Sequence, residues 1–403
     1  MSERAGGSRA APEDPFRKFP ALFRRWTLRS VYRKLRMPIR RRRWDQENRD
    51  ATAPYRIGSR DGRGPDGGVR VCILGDFSGK TGLSRAGLYE LDQLRVKFPQ
   101  AEVHDLAEAI SKGVRVDFRD GPPLDRLYLL SPPDTYPILL SALSPERVRA
   151  AWRIGLWVWE TPLFPRWWRF AIDLVDEIWT PSDYSRQSII PAVGDIPVRL
   201  RPYPVSPSVR NEGSIDPVQM RSSLGIDDDT FLGLAIMDIS SCPARKNPWA
   251  HVAAWLQAFG DDPSSVLVLK LRVSKHTRVV LDELRTLIGS SGNIRLLEKE
   301  LTGDEIDALQ SAADVYLSLH RAEGYGLNIH ECLAFGTPVL ATDFSANAEY
   351  GPTFAGYRGL PYRPVPYRDW TGHYSEGDFC WAEVDIDAAA KALCETRTGA
   401  VKK

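Results

Sequence analysis

The 403-residue chain is poor in the residues that build disulfide and metal sites. It has only five cysteines, six histidines and four methionines. The cysteines are odd in number and never in C-x-x-C spacing, at Cys72, Cys242, Cys332, Cys380 and Cys394. Neither a disulfide framework nor a zinc site fits this pattern. We therefore expect reduced thiols, no metal site and no required cofactor.

Long hydrophobic runs are also missing. No stretch approaches the roughly 20 apolar residues that span a bilayer, and the N-terminus lacks the apolar region and cleavage site of a secretory signal. We expect a protein that is made and kept in the cytosol. Its length suits two α/β domains plus tails, and its content of 43% apolar and 26% charged residues is that of an ordinary globular chain.

A segment near the N-terminus has no acidic residue. From Arg17 to Arg43 there are twelve Lys or Arg, and because the whole chain has a net charge of only +2, the rest carries ten net negative charges. Apolar residues recur at helical spacing between these cations, at Phe19, Leu22, Phe23 and Trp26. The pattern favours an amphipathic arm, residues 1–44, that binds an anionic membrane surface through residues 16–43. A disordered basic tail and a nucleic-acid patch are the alternatives, and we expect no nucleic-acid partner.

The rest of the chain divides into a linker and two series of predicted strands. Residues 45–68 are polar and rich in Gly, Arg and Asp, which is typical of a linker. The first series of apolar runs is VRVCILG, VRVDF, RLYLLS, RIGLWVW, EIWTPS and VRLRPYPV. The second series is FLGLAIMD, SVLVLKLRV, NIRLLEK, VYLSLH and PVLATD. Helices are predicted in the second half over Asn247–Phe259, Thr277–Ile288, Thr302–Ala312, Leu327–Phe335 and Ile386–Thr396.

This alternation predicts an α/β protein with two parallel sheets in tandem. An N-terminal Rossmann-like domain covers residues 69–215, a C-terminal one covers residues 216–385, and a short helix and tail occupy residues 386–403. Open parallel sheets bind ligands beyond the carboxyl ends of their strands. We therefore expect the ligand in a cleft between the two halves.

The stretch HRAEGYGLNIHECLAFGTPVLATD contains the strongest signal for chemistry. Gly324 and Gly326 lead from a strand into a helix, whose first amides would be unpaired and suited to an anion. Glu323 precedes the helix and Glu331 lies about two turns inside it. Both carboxylates would accept hydrogen bonds from sugar or ribose hydroxyls. Two surface carboxylates beside an ordinary helix start are the alternative interpretation.

Two further loops follow predicted strands. In MDISSCPARKNPWAHVAAWLQAF, Arg245 and Lys246 precede a helix with Asn247 as a candidate N-cap, an arrangement that suits a diphosphate; a solvated loop is the alternative. In ILGDFSGKTGLSRAG, only three residues separate Gly75 from Gly79, whereas a P-loop has four. We therefore predict no P-loop nucleotide triphosphatase.

With these motifs the chain resembles glycosyltransferase family 4, retaining enzymes of the GT-B fold, through an E-x7-E signature at Glu323 and Glu331. The resemblance implies two Rossmann-like domains facing a central cleft and a nucleotide-diphosphate sugar as donor. Glu323 would then hold the donor sugar and Glu331 the nucleotide ribose. The donor phosphates would be held by Arg245 and Lys246, by the loop containing Gly79 and Gly82, and by the amides of Gly326, Leu327 and Asn328.

The form D-x-x-S-x-x-x-R-K-N-P is similar to that of a subgroup active on bacterial cell-surface polysaccharides. This likeness implies a hexosyl transfer to a glycan or polyprenyl-linked acceptor at the inner face of the membrane. Glu160 stands where many family members have a histidine; it would bind acceptor or donor sugar, or else cap the following helix. Trp159 is a candidate for stacking on a sugar. A non-catalytic sugar-nucleotide-binding scaffold and a sugar-nucleotide epimerase of the same fold are the alternatives.

Overall fold

The structure is a computed structural model and describes residues 41, 43–59, 70–205, 216–369, 374 and 377–399. The first half contains, in chain order, α1 (residues 43–52), β1 (Val71–Gly75), α2 (Gly82–Lys97), β2 (Glu102–Asp105), α3 (Ala107–Lys112), β3 (Arg126–Leu130), α4 (Tyr136–Ser141), α5 (Pro145–Val148), β4 (Trp152–Leu156), β5 (Glu177–Thr180), α6 (Asp183–Val193) and β6 (Val198–Leu200). Short 3₁₀ helices cover Ala53–Tyr55, Pro133–Thr135 and Arg166–Leu174. The six strands form one parallel sheet in the order β2-β1-β3-β4-β5-β6.

The second half contains α7 (Pro217–Ser223), β7 (Phe231–Asp238), α8 (Pro243–Lys246), α9 (Pro248–Phe259), β8 (Ser265–Arg272), α10 (Arg278–Ile288), β9 (Ile294–Leu297), α11 (Gly303–Ala312), β10 (Val315–Ser318), α12 (Leu327–Ala334), β11 (Val339–Thr342), α13 (Asn347–Tyr350), a 3₁₀ helix (Gly351–Thr353), β12 (Tyr357–Leu360), β13 (Tyr362–Pro366), β14 (Cys380–Val384) and α14 (Ile386–Arg397). Strands β7 to β12 form a second parallel sheet in the order β12-β11-β10-β7-β8-β9. Strands β13 and β14 pair as an antiparallel hairpin.

Both sheets are covered by helices on both faces, which explains why their strands are continuous apolar runs. In β8, Leu267, Leu269 and Leu271 lie in the core under α9, α10 and α14. Val266 and Val268 point the opposite way, into the core that includes residues of α11 and α12. The alternation confirms the predicted α/β class, with one sheet in each of the expected halves. Among the described residues, no helix has the length and apolar character needed to cross a membrane.

The first sheet differs from the prediction at its edge. The run VRVDF, residues 114–118, is not a strand, and the edge strand is instead β2, with the sequence EVHD. β2 pairs with β1 through Val103 opposite Ile73. Phe118 packs its ring on His104, with 3.8 Å between ring centroids. The apolar residues after α3 therefore cover the sheet edge rather than extend it.

The segment expected as a linker is folded at its start. Helix α1 packs on the first domain, with the Trp44 ring edge-on to Phe170 at 5.9 Å. Tyr55 is buried, donates to the Leu143 carbonyl at 2.9 Å and accepts at its own carbonyl from Arg153. The linker prediction is therefore wrong for residues 45–59, because two widely spaced aromatic anchors have no recognisable period. Most of the predicted arm, residues 1–40, lies outside the described residues.

The chain after Asp343 is more regular than its sequence predicts. It contains β12, which extends the second sheet, and the β13–β14 hairpin. Helix α14 packs on α9 through Ala389, Ala392 and Leu393, which are all buried in the second core. Residues 386–397 are therefore part of the second domain rather than a separate tail.

Candidate functional site

The carboxyl ends of β7 and β10 bring one carboxylate between two cations. Helix α8 ends at Lys246, and Glu323 lies in the loop after β10. The Lys246 ammonium is 2.5 Å from Glu323 Oε1, and Arg245 Nη1 is 3.0 Å from Glu323 Oε2. Lys246 and Glu323 are 77 positions apart in sequence. The convergence follows from the sheet order, in which β7 and β10 are neighbours.

The charge on Glu323 is fixed by these two cations. Burial by itself would raise the pKa of Glu323, but Arg245 and Lys246 outweigh burial and lower the pKa to about 2. The Glu323 amide donates to the Ser345 hydroxyl at 2.8 Å, which anchors the backbone beneath the carboxylate. Glu323 is therefore an anion throughout the physiological pH range.

The start of helix α12 lies beside this ion cluster. Gly326 has a left-handed conformation (φ 84°) at the N-cap position, and no side chain caps the helix. Among the described residues, the amides of Gly326, Leu327 and Asn328 have no hydrogen-bond acceptor. Unpaired amides and the helix dipole together favour an anion here. The sequence-predicted Lys246, Glu323 and these three residues thus face one another.

A cavity of about 30 Å³ separates these groups, lined among others by Ile236, Lys246, His320, Glu323 and Asn328. Small-molecule sites hold roughly 300 Å³ or more, and every residue that lines this cavity belongs to the second domain. The first domain closes on the second beside it, where Arg85 pairs with Glu331 and Lys80 pairs with Glu300.

Glu331 is held across the domain interface. It is 1% exposed on α12, where Gln310 donates to its carboxylate at 2.9 Å. From α2 of the first domain, Arg85 forms an ion pair with the same carboxylate and Tyr89 donates to it at 3.1 Å. Arg85 also pairs with Asp307. Burial raises the pKa of Glu331 although Arg85 opposes the shift.

Sequence reasoning did not assign a role to Arg85, Tyr89 or Gln310. Arg85 and Tyr89 are four residues apart on α2 and so occupy the same helix face. This spacing, on the helix that follows the glycine loop, is the one sequence feature that indicates a shared role for the two residues. Their common partner, Glu331, is more than 240 residues further along the chain, a separation that no local pattern reveals.

The glycine loop after β1 faces the second domain. Gly79 donates its amide to Asp76 Oδ1 at 2.8 Å, and a Cβ at position 79 would lie 2.2 Å from that atom. Gly82 begins α2, and a Cβ added at this position would have no described atom within 4 Å. Lys80 reaches across to Glu300, with 2.7 Å between Nζ and Oε2. The amide of Gly79 is thus engaged by Asp76, while Gly82 is at the open start of the helix.

Glu160 belongs to the same charged cluster as Glu323. Its carboxylate accepts from the Tyr374 hydroxyl at 3.0 Å and lies 3.5 Å from Arg245 Nη2. The next helix begins only at Arg166, with Pro165 at its N-cap, so the helix-cap interpretation of Glu160 is wrong. Arg245 therefore bridges Glu160 and Glu323.

Other candidates from the sequence serve in packing. Trp159 is 3% exposed inside an aromatic cluster, and its indole N–H donates to Leu163 O at 2.7 Å, so its ring is not available for stacking on a sugar. Asn247 has a left-handed backbone (φ 51°) at the N-cap of α9, but its side chain donates to Glu383 instead of capping the helix. His320 is buried, which lowers its pKa, and contacts Ser318.

One group of potential metal ligands occurs among the described residues, formed by Cys72, Glu102 and His104. Burial raises the pKa of the Cys72 thiol to about 12, so the thiol keeps its proton. Arg147 holds both Glu102 oxygens at 2.8 and 2.9 Å. A protonated thiol and a carboxylate already paired with a guanidinium do not suit a metal ion.

Part of the second domain matches a known family of proteins. Residues 279–352, which include Glu323, Gly326 and Glu331, match the family model of the glycosyl transferases group 1. No curated protein matches the chain. Among solved structures, Anabaena HepE in complex with UDP and glucose is 15% identical, with a TM-score of 0.53 over 70% of this chain and 82% of HepE. A UDP-forming α,α-trehalose-phosphate synthase from Burkholderia xenovorans is 12% identical, with a TM-score of 0.54 over 82% of this chain and 91% of that protein.

These likenesses define the class of fold. The chain is a GT-B protein, built of two Rossmann-like domains that face each other across a cleft. Its second domain contains the segment that matches the group 1 glycosyl transferases.

Proposed function

We propose that the protein is a retaining glycosyltransferase that transfers a hexosyl unit from a nucleotide-diphosphate sugar to a glycan or lipid-linked acceptor. The observation that carries this proposal is the ion cluster of Arg245, Lys246 and Glu323 beside the unpaired amides at the start of α12. The group 1 glycosyl transferase match over residues 279–352 supports it. So does the presence of UDP and glucose in the structurally similar HepE.

In the proposed reaction, the acceptor hydroxyl attacks the anomeric carbon from the face that the diphosphate leaves. One C–O bond forms, the C–O bond to the diphosphate breaks, and the departing phosphate takes the acceptor proton. Negative charge builds up on the leaving group, and fixed positive groups stabilise that state. The Lys246 ammonium lines the cavity and serves this purpose together with the α12 amides.

Arg245 has a different position from Lys246. It is 4% exposed, donates to the Ala322 carbonyl at 2.8 Å and pairs with Glu323 and Glu160. We assign it to holding Glu323 in place and adding positive potential behind the cavity. Glu323 then orients the donor sugar, and Glu160 faces the sugar or the acceptor from the first domain.

Donor binding must also release the contacts that close the cleft. In the proposed complex, the ribose hydroxyls replace Arg85 and Tyr89 as partners of Glu331. The glycine loop containing Gly79 and Gly82 would then close over the donor phosphates. This order of events agrees with the small volume of the closed cavity.

The acceptor would be met at a membrane. The arm of residues 16–43 would lie on anionic lipid at the cytosolic face, with its last residues against the first domain. Arg41 stacks over the Trp167 ring at 3.8 Å to the ring centroid, next to the exposed Arg166 and Arg169. A cationic and aromatic surface continues from the arm at this point.

The test is turnover of labelled UDP-, GDP- and dTDP-hexoses with a lipid-linked oligosaccharide acceptor, with the product's anomeric configuration read by NMR. We expect Glu323→Gln and Lys246→Met each to lower kcat by about 100-fold or more while the fold is retained. Glu108→Gln, an exposed carboxylate on α3, is the matched control. Normal turnover in both site variants would refute the proposal. Donor conversion without acceptor would indicate an epimerase, and binding without turnover would indicate a scaffold.

A further inference from the structure

One lysine in the second sheet lacks a partner. Lys270 is in β8 and only 7% exposed. Across the part of the chain that the structure describes, its ammonium forms neither a hydrogen bond nor an ion pair. The methylene stem of Lys270 is buried, while its ammonium keeps contact with solvent. An unpaired ammonium in this position is accessible to an anionic ligand.

Its neighbours around the cleft are all paired. Lys246 contacts Glu323, Arg85 contacts Glu331, and Lys80 contacts Glu300. Burial lowers the pKa of Lys270, and Glu300 and Asp238 oppose this shift from beyond ion-pair distance. Both carboxylates are paired with other cations, Glu300 with Lys80 at 2.7 Å and Asp238 with Arg272 at 3.8 Å. Lys270 is therefore a cation near the cleft that forms no ion pair with a described side chain.

Its place in the sheet points toward the proposed donor. Lys270 is opposite Ile236 of β7 and Leu297 of β9. Ile236 lines the cavity that contains Lys246 and the start of α12. Lys270 therefore lies one strand, about 4.8 Å, beyond a cavity residue, near the carboxyl end of its own strand. Ligands of parallel sheets bind at these ends.

The Lys270 side chain lies on the face of the second sheet that is covered by α12. Leu269 and Leu271, the neighbours of Lys270 in the strand, belong to the core under α9 and α10. Side chains alternate along a strand, so Lys270 shares the face of Val268, which packs in the core that contains Ile329 of α12. Lys270 thus lies on the side of the sheet that bears α12 and its unpaired amides.

We infer that Lys270 is a donor-binding residue that holds the phosphate next to the nucleoside, while Lys246 and the α12 amides hold the phosphate next to the sugar. The inference rests on the proposed function, because it supplies a second phosphate contact in the same site. The ligand is an anion, since an ammonium without an ion-pair partner favours a negatively charged group.

The experiment compares the binding of UDP, UMP and uridine to wild-type protein and to Lys270→Met by titration calorimetry. Met keeps the length of the side chain and removes its charge. We expect UDP and UMP to bind at least tenfold more weakly to the variant, and uridine to bind equally to both proteins. Lys391→Met, an exposed lysine on α14 of the same domain, makes the same change in net charge and should alter none of the three affinities.

The stability of the unliganded variant gives a second readout. Because the Lys270 ammonium forms no hydrogen bond or ion pair with a described residue, Lys270→Met should leave Tm without nucleotide nearly unchanged. A lower Tm with unchanged affinities for UDP and UMP would assign Lys270 a structural role and overturn the inference. An equal loss for uridine and UMP would place Lys270 at the base instead, and would also overturn it.

The failure of this inference is distinguishable from failure of the proposed function. If wild-type protein binds none of UDP, GDP and dTDP, both the proposed function and this inference are refuted. If wild-type protein binds a nucleotide and Lys270→Met binds it equally well, only the role of Lys270 is lost. The nucleoside, monophosphate and diphosphate of the base that binds form the series to be used.

Discussion

Glu323→Gln should weaken the fold in a way that depends on pH. In the folded protein the pKa of Glu323 falls from its ordinary value of 4.5 to about 2 because Arg245 and Lys246 outweigh burial. That difference corresponds to about 3 kcal/mol of stability, at about 1.4 kcal/mol per pH unit. Removing one partner of a buried ion pair costs a similar amount, about 3 kcal/mol. We therefore expect Glu323→Gln to lower the free energy of unfolding by about 3 kcal/mol at pH 7.

The sign of the pH dependence follows from the direction of the shift. A carboxyl whose pKa is depressed by folding contributes fully above its unfolded pKa, and this contribution is lost as the pH falls toward the folded pKa. The difference between wild type and Glu323→Gln should therefore be constant from pH 7 to about 5. By pH 3.5 it should shrink by about 1.4 kcal/mol.

Urea unfolding followed by tryptophan fluorescence and by circular dichroism at pH 7, 5, 4 and 3.5 measures this difference. All three charged groups lie in the second domain, which contains the buried Trp249, Trp255 and Trp381 as fluorescent probes. Glu108→Gln, whose carboxylate is exposed on α3, should change stability by less than about 0.5 kcal/mol at every pH. A difference between wild type and Glu323→Gln that stays the same from pH 7 to 3.5 would refute the ion-cluster reasoning.

Two further predictions concern closure of the cleft and the arm. Gly324→Ala would place a Cβ 2.6 Å from Val158 Cγ2 and 3.1 Å from the Trp159 carbonyl oxygen, both in the first domain. Overpacking costs about 1–3 kcal/mol, and because this clash lies between the domains it should lower turnover about tenfold and leave Tm nearly unchanged. Gly58→Ala, at an exposed glycine with open space around it, should have no effect. Equal activity of these two variants would contradict a need for close approach of Gly324 to the first domain during turnover. Deleting residues 1–40 removes eleven Lys or Arg, each worth about 1 kcal/mol near anionic lipid, and should abolish sedimentation with phosphatidylglycerol vesicles. Retained sedimentation, or tight salt-sensitive binding of the full chain to duplex DNA, would argue against a membrane role for the arm.

Much of the fold could be predicted because buried parallel strands leave a local trace. The run FLGLAIMD coincides with β7, since both faces of that strand are covered and nearly every residue is apolar. The edge strand β2 left no such trace, because EVHD has one apolar residue and is a strand only through its pairing with β1. VRVDF has the strand pattern but packs over the sheet edge. Whether a segment forms the edge strand depends on the whole sheet and cannot be predicted from a few consecutive residues.

The candidate site also has a part that local sequence motifs predict and a part that they do not. The sequence predicts Glu323, Arg245 and Lys246 as site residues because they lie between a strand and a longer helix, and Glu331 because it follows Glu323 at a recognisable spacing in that helix. The structure brings Arg245, Lys246 and Glu323 together, and the roles of all four stay predictions. The closing contacts of Arg85 and Tyr89 on Glu331 were not predicted. They exist only when two separate domains meet, and their geometry depends on how far the cleft is closed.

The two βα series, the α/β class and the residues at the carboxyl ends of the strands follow from short stretches of sequence, because hydrophobic period and helix-start chemistry act over a few residues. Which charges neutralise one another depends on the folded structure. Arg245 bridges Glu160 and Glu323, whereas Lys270 forms no ion pair with a described residue. Electrostatic pairing depends on distances of a few ångströms between groups far apart in the chain, and folding alone sets those distances.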